Sequence, residues 1–109
     1  MPPDVRMTLA TQRVLRALLN TPAKAQYGLE ICEAAKLASG TIHPILARLE
    51  KVGWLESNWE DIDPHRAGRP RRRYYRLSSD GAQWAGAALA AVEARRFRGV
   101  GFADPDCIA

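Results

Sequence analysis

The 109 residues hold only two cysteines, Cys32 in a helical pattern and Cys107 near the end, so no disulfide framework is expected and both thiols are read as reduced. The two histidines, His43 and His65, do not join them at ligand spacing, so no structural zinc site and no metal is expected. Long apolar runs are missing too, and none approaches the ~20 residues a membrane span needs. The opening Met1-Pro2-Pro3-Asp4-Val5-Arg6 lacks the apolar stretch of a secretory leader. These absences point to a cytoplasmic protein with no membrane contact. There is also no nucleophile–base pair, no paired carboxylate site and no Gly loop to cradle a phosphate, so an enzyme is not expected, nor a cofactor. Internal repeats are absent. What is left has the length of one domain with a core of adequate size. Residues 1–98 are read as that domain and 99–109 as a flexible tail.

Charge is present, and it is unevenly placed. The formal net charge is only +4, yet Arg66, Arg69, Arg71, Arg72, Arg73 and Arg76 crowd one segment. Such local density says more about partners than the isoelectric point does. The arginines surround Gly68 and Pro70 and run into the alternating Arg73-Tyr74-Tyr75-Arg76-Leu77. A Gly/Pro loop full of guanidinium groups repels itself and gains most by lying along an anionic polymer, while the alternating stretch wants one face on a core. Together they read as a basic hairpin tip, a probe for nucleic acid.

The remaining pattern supplies the body behind that tip. Leu9, Val14, Leu15, Leu18 and Leu19 recur at helical spacing from Thr8 to Asn20, with Thr8 as the N-cap and Asn20-Thr21-Pro22 as the stop. A second helix is read over Tyr27 to Leu37, burying Leu29, Ile31, Cys32 and Ala35. Ser39 is read as the cap of a third helix reaching about Val52. Its buried face is Ile42, Ile45, Leu46, Leu49 and Val52, and its open side carries Thr41, Pro44, Arg48 and Lys51, with His43 at the boundary. Gly53 ends it in a left-handed turn. Trp54 to Glu60 alternates as a strand with Leu55, Ser57 and Trp59 on one side. A long loop then joins it to the strand Arg73 to Leu77, making a two-stranded antiparallel hairpin. Ser78 caps a final alanine-rich helix of about residues 78–98, which carries Trp84, Ala85, Ala88, Leu89, Val92 and Phe97.

Three helices, a strand, a basic loop, a strand and a helix, in that order, define a mainly α winged helix-turn-helix with a two-stranded wing. In that arrangement the third helix enters the major groove, which admits one helix, and the wing lies over an adjacent minor groove or backbone. Candidate DNA contacts are Ser39, Thr41, His43, Arg48 and Lys51 on the third helix, and Arg69, Pro70, Arg71, Arg72 and Arg73 on the wing. The apolar stripe of the last helix is wider than so small a domain needs. Leu9, Trp84, Ala88, Leu89 and Val92 are therefore candidate homodimer contacts, with a C-terminal dimerisation helix.

Three motifs in series carry a family resemblance: Ser39-Gly40-Thr41-Ile42-His43-Pro44-Ile45-Leu46-Ala47-Arg48-Leu49-Glu50, Gly53-Trp54-Leu55-Glu56-Ser57, and Gly68 to Ser78 with Gly81. The chain from about Leu9 to Val92 resembles the PadR-like transcriptional regulators, of the compact kind with one helix after the wing. Tyr27-Gly28-Leu29-Glu30-Ile31 is similar to a His-Gly-Tyr-Glu-Leu segment of that family, with Tyr27 and Leu29 departing from it. The resemblance implies a homodimer that binds double-stranded operator DNA at the nucleoid, usually as a repressor. It also implies a small aromatic effector, with Trp59 or Trp84 as candidate contacts. A winged-helix module gripping an acidic protein, or a non-specific architectural DNA binder, stands as the alternative.

Overall fold

The computed structural model describes residues 5–22 and 24–101, the last four of them by backbone alone. Helix α1 (Leu9–Leu19) opens where the Thr8 hydroxyl accepts the Thr11 amide at 3.1 Å, so the expected cap is in place. Strand β1 (Gln26–Tyr27) and helix α2 (Gly28–Ala35) follow, with the Glu30 carboxylate accepting the Tyr27 amide at 3.1 Å. Helix α2 stops because Lys36 takes φ 57°, and the Leu37 amide then turns back onto the Cys32 carbonyl at 3.1 Å. Helix α3 (Ser39–Lys51) ends through Gly53 at φ 85°, where the Gly53 amide reaches the Glu50 carbonyl and the Trp54 amide the Leu49 carbonyl. That double closure is a Schellman turn, which a glycine without Cβ adopts at no steric cost.

Strands β2 (Leu55–Trp59) and β3 (Arg73–Leu77) flank the helical turn α4 (Pro64–Ala67), and helix α5 (Ser79–Gly101) completes the chain. The sheet has three antiparallel strands in the order β1-β3-β2. Opposite residues are Leu55 and Leu77, Ser57 and Tyr75, and Trp59 and Arg73, so these six share one face. Leu55, Tyr75 and Leu77 bury that face against Val14, Leu15 and Leu18 of α1, Ile31 and Ala35 of α2, and Ile42, Leu46 and Leu49 of α3. Trp54 and Ala85 close the same core at the base of α5.

Several expectations are corrected by this arrangement. The wing sheet is three-stranded, because Gln26 and Tyr27 pair along β3 before α2 begins. Helix α2 therefore starts after Tyr27 and ends before Leu37, and in so short a helix only Ile31 and Ala35, one turn apart, reach the core. Leu29, read as buried, is 58% exposed on the outer side, and Cys32 is half-buried. Ser39 is the first helical residue of α3 and Ala38 is its cap, with no side-chain cap bond. The wing loop holds α4, capped by the Asp63 carboxylate on the His65 amide, so His65 sits on a helical turn. Helix α5 runs to Gly101, so 99–101 continue it, and the remainder of the expected tail lies outside the described residues. Phe97, read as apolar helix face, is 76% exposed.

Helix α5 is seated by one close approach. The Ser78 hydroxyl accepts the Gly81 amide at 2.9 Å and donates to the Gly53 carbonyl at 2.8 Å, while the Ser78 amide meets the Trp54 carbonyl at 3.0 Å. A Cβ on Gly81 would stand 1.9 Å from the Trp54 oxygen and 2.8 Å from the Ser78 hydroxyl. Backbone cannot yield there as a flexible side chain would. Gly81→Ala should lower unfolding free energy by about 1–3 kcal/mol, seen as a lower urea midpoint, because the extra methyl forces α5 off its seat. Lys36→Gly should raise it by roughly 0.5–1 kcal/mol, since glycine holds the left-handed turn without the steric cost that lysine bears.

Candidate nucleic-acid interface

Helix α3 divides its residues cleanly. Ile42, Leu46 and Leu49 are buried, whereas Ser39, Gly40, Thr41, His43, Pro44, Ala47, Arg48 and Lys51 are exposed. At 100° per residue the exposed set has two flanks. Thr41 and Arg48 lie on one, where Arg48 and Pro44 line a cleft of about 150 Å³ with Val5, Thr8 and Thr11. His43 and Glu50 lie on the other, toward the wing, and Lys51 is central. All five expected α3 contacts are thus solvent-facing, spread over both flanks.

The flank toward the wing is bridged to it. Glu50 accepts the Ser57 hydroxyl, and the Arg73 guanidinium meets the Glu50 carboxylate at 3.2 Å and the Ser57 hydroxyl at 2.8 Å. The Ser57 bond, opposed by burial and helped by Arg73, holds the Glu50 carboxyl below its ordinary pKa. The Arg73 guanidinium also lies 5.3 Å from the Trp59 ring centre and 6.0 Å from that of Tyr75. One arginine therefore ties β3 to β2 and both to α3.

A second carboxylate orders the loop beyond. Arg69 grips Glu60 through two nitrogens at 2.7 and 3.0 Å, and the same carboxylate accepts the Arg72 amide at 3.2 Å. This fork-to-fork pair fixes direction as well as distance. The hydrogen bond from Arg69 comes first among the causes that pull the Glu60 pKa down to about 2, opposed by desolvation and reinforced by the Arg72 amide. Arg71 donates its Nε to the Ile62 carbonyl at 3.0 Å, and that bond leaves its two terminal nitrogens open. Arg72 stacks its guanidinium 4.3 Å from the Tyr27 ring centre, and Tyr27 in turn meets Tyr74 edge-on at 5.5 Å. Arg76 pairs with Glu56 at 3.2 Å on that outer sheet face.

The wing arginines therefore have different partners. Arg69 is engaged by Glu60 within the wing and Arg73 by Glu50 of α3, Arg72 lies on the outer face over Tyr27, and Arg71 with exposed Pro70 faces solvent. Glu50, Ser57, Glu60 and Tyr27, which hold these arginines, were not among the expected contact residues. Strand pairing signals only the Glu56–Arg76 pair, since Arg73 stands opposite Trp59 and Glu50 comes from α3. Of the expected dimer residues, Leu9 is 64% exposed, and Trp84, Ala88, Leu89 and Val92 are half-buried, with Trp84 6.1 Å from Trp54 between ring centres. Among the described residues no His, Cys, Asp and Glu group could hold a metal, and no helix is long and apolar enough to cross a membrane.

A three-helix core, a sheet with a basic loop and a long terminal helix define a winged-helix architecture of the kind found in transcriptional regulators. The family model of the transcriptional regulator PadR-like family matches residues 17–86, and the chain belongs to that family. Among solved structures, smu.1704 from Streptococcus mutans UA159 superposes with a TM-score of 0.67 at 22% identity, covering 93% of this chain and 95% of that one. A PadR family transcription regulator from Clostridium difficile R20291 gives 0.61 at 20% identity, over 94% and 100% of the two chains. BpsR of Bordetella bronchiseptica, whose DNA binding is regulated by 6-hydroxynicotinic acid, gives 0.65 at 21% identity over 84% of this chain and 63% of its own. Among curated proteins none matches the sequence.

The Arg69–Glu60 pair has a direct acid signature. Because the folded-state pKa of Glu60 is depressed, its contribution to wing order is complete above the ordinary carboxylate range and is lost as pH falls toward about 2. Carboxyl carbon shifts followed by NMR should show Glu60 titrating near 2, and Arg69→Ala should return it to the ordinary range.

Proposed function

We propose that this chain is a dimeric, sequence-specific DNA-binding repressor. The exposed side of α3, with Ser39, Thr41, His43, Arg48 and Lys51, enters the major groove, and the wing lies against the flanking backbone. One observation carries the reading. Arg73 couples Glu50 on the wing-side flank of α3 to the wing strands, so recognition helix and basic loop form one rigid surface. A duplex requires such a surface, because phosphate contacts set register while groove contacts read sequence.

The wing residues divide accordingly. Arg71, with Pro70 beside it, contacts phosphate directly. Arg72 meets the backbone from the outer face. Arg69 and Arg73 act chiefly by holding the loop in shape, their charge already met by Glu60 and Glu50. Thr41 and Lys51 lie on the open part of α3, where a hydroxyl and an ammonium suit base edges and phosphate respectively.

Dimerisation is assigned to α5 with α1. Trp84, Ala88 and Leu89 pack partly on the core and leave the rest of their surface open, with Val92 one turn further on and Leu9 of α1 standing exposed. Two copies joined there would place two α3 helices about one DNA turn apart, ~34 Å, and read a pseudo-palindrome. A small planar effector acting on this equilibrium belongs to the same reading. The alternative of an acidic protein partner for the basic loop predicts that Arg71→Ala abolishes partner capture and leaves DNA affinity intact.

Fluorescence anisotropy with the chain's own upstream DNA against scrambled duplex tests the reading, and equal affinity for both would defeat the sequence-specific claim. Arg71→Ala should weaken binding to all duplexes alike and reduce the slope of log affinity on log salt by about one. Light scattering should give twice the chain mass for the native protein. Val92→Asp, which puts a charge into the proposed interface, should shift it to the monomer.

A further inference from the structure

The wing carries an exposed aromatic that neither the core nor the internal ion pairs require. Trp59 ends β2 with 58% of its surface open, where a tryptophan of this size is ordinarily more covered. It is nonetheless held. Arg73 stands over one side of the ring at 5.3 Å, and Arg73 is itself fixed by Glu50 and Ser57. Pro64, the first residue of α4, and Pro70 form with Trp59 the apolar walls of a shallow notch, and Arg71 closes its rim. The strand register puts Trp59 on the sheet face of Ser57 and Arg73, the face that meets Glu50 of α3. The notch therefore includes a residue of the sheet face that meets α3, not of the outer face where Arg72 lies over Tyr27.

We infer that this notch seats one nucleotide of the duplex backbone, its deoxyribose against Trp59, Pro64 and Pro70 and its phosphate on the free nitrogens of Arg71. The chemistry fits on each point. A DNA backbone alternates a hydrocarbon-faced sugar with an anion, and the notch sets an apolar floor beside a cation. An indole and two prolines lose little conformational entropy on contact, so the seat is rigid before DNA arrives. The neighbouring carboxylate Glu60 is already neutralised by Arg69, and Asp63 caps α4 and faces Arg66 at 4.0 Å, so neither of these acids is left as an uncompensated charge against the phosphate. Asp61 is exposed and does not line the notch. The inference rests on the DNA-binding reading and adds to it a sugar contact with no base specificity, which acts equally on every sequence.

Tryptophan emission offers the test, because Trp54 is buried and Trp84 half-buried, leaving Trp59 as the indole open to a water-soluble quencher. A mixed-sequence duplex at low salt should protect the full-length protein's emission from acrylamide, and the protection should vanish in Trp59→Ala. That variant should bind the same duplex about five- to tenfold more weakly by anisotropy, at unchanged salt slope, since an aromatic contact carries no counterion release. Trp59→Phe should recover most of the affinity. If duplex binds with wild-type affinity to Trp59→Ala and leaves Trp59 as open to acrylamide as before, the seat does not exist although DNA binding stands. If deoxyadenosine monophosphate alone protects Trp59 and duplex does not, the notch serves a free nucleotide and the backbone assignment fails. Loss of all duplex binding in the native protein would instead overturn the underlying reading, and this inference with it.

Discussion

Guanidinium groups crowded into a short loop repel one another, and the wing can hold a shape only if some of that charge is answered from within. Two charges ~6 Å apart interact by about 3 kcal/mol at the effective dielectric of a protein surface, so several arginines left unopposed would splay the loop. Glu60 and Glu50 supply the answer at two levels, one near the tip and one at the root. Exposed ion pairs of this kind add little to global stability, typically 0–1 kcal/mol. Their effect is geometric. Arg69 on Glu60 closes the loop on itself, and Arg73 on Glu50 fixes the angle between wing and α3, so the unneutralised cations that remain point in chosen directions.

Neutralising part of the charge also decides what the wing does with the rest. An arginine whose carboxylate partner is close gains less on meeting phosphate, because it must first abandon that partner. Arg71 has only a carbonyl on its Nε, and Arg72 has a tyrosine ring beneath it. These two stand apart, with Arg71 beside Trp59 and Arg72 over Tyr27. A segment that reads as one uniform basic run is thus two structural clamps and two outward-facing cations, and counting its charges alone would overstate its phosphate contacts.

How much of this was legible in the sequence follows from which interactions are local. The α1 cap at Thr8, the Gly53 turn, the buried stripe Ile42, Leu46 and Leu49, and the strand Arg73–Leu77 all come from period and capping chemistry, and the structure has them as read. The edge strand Gln26–Tyr27 was hidden because two residues carry no period, and its pairing partner lies far along the chain at Tyr74 and Tyr75. Helix α2 was read too long since nothing in the sequence around Lys36 announces a left-handed turn, a position glycine usually holds. The acid partners of the wing were missed for a different reason. Glu50 belongs to α3 and Glu60 follows β2, and only the folded hairpin packed on α3 brings them to Arg73 and Arg69. The placement of the candidate residues on exposed faces was therefore readable, while which arginines are held by acids and which stand open required the folded hairpin.

The same hairpin also positions α5. Trp54 stands where α3 ends and β2 begins, its ring buried in the core and its carbonyl receiving the Ser78 amide. Gly81 packs against that carbonyl closely enough that no side chain fits. Helix α5 is therefore referenced to the end of α3 through the Ser78 amide and hydroxyl and the bare backbone of Gly81, with no long flexible side chain between them. Arg16 of α1 adds a looser contact with Glu93 at 3.8 Å further out. If two α5 helices join the subunits, the distance between two α3 helices is set by a rigid path of turn, carbonyl and helix start. In such a dimer, any ligand or substitution that tilted α5 about this seat would also move the α3 helices relative to each other. The absence of a side chain at Gly81 thus belongs to the same design as the carboxylates of the wing. Both fix the angles between α3 and the elements that follow it.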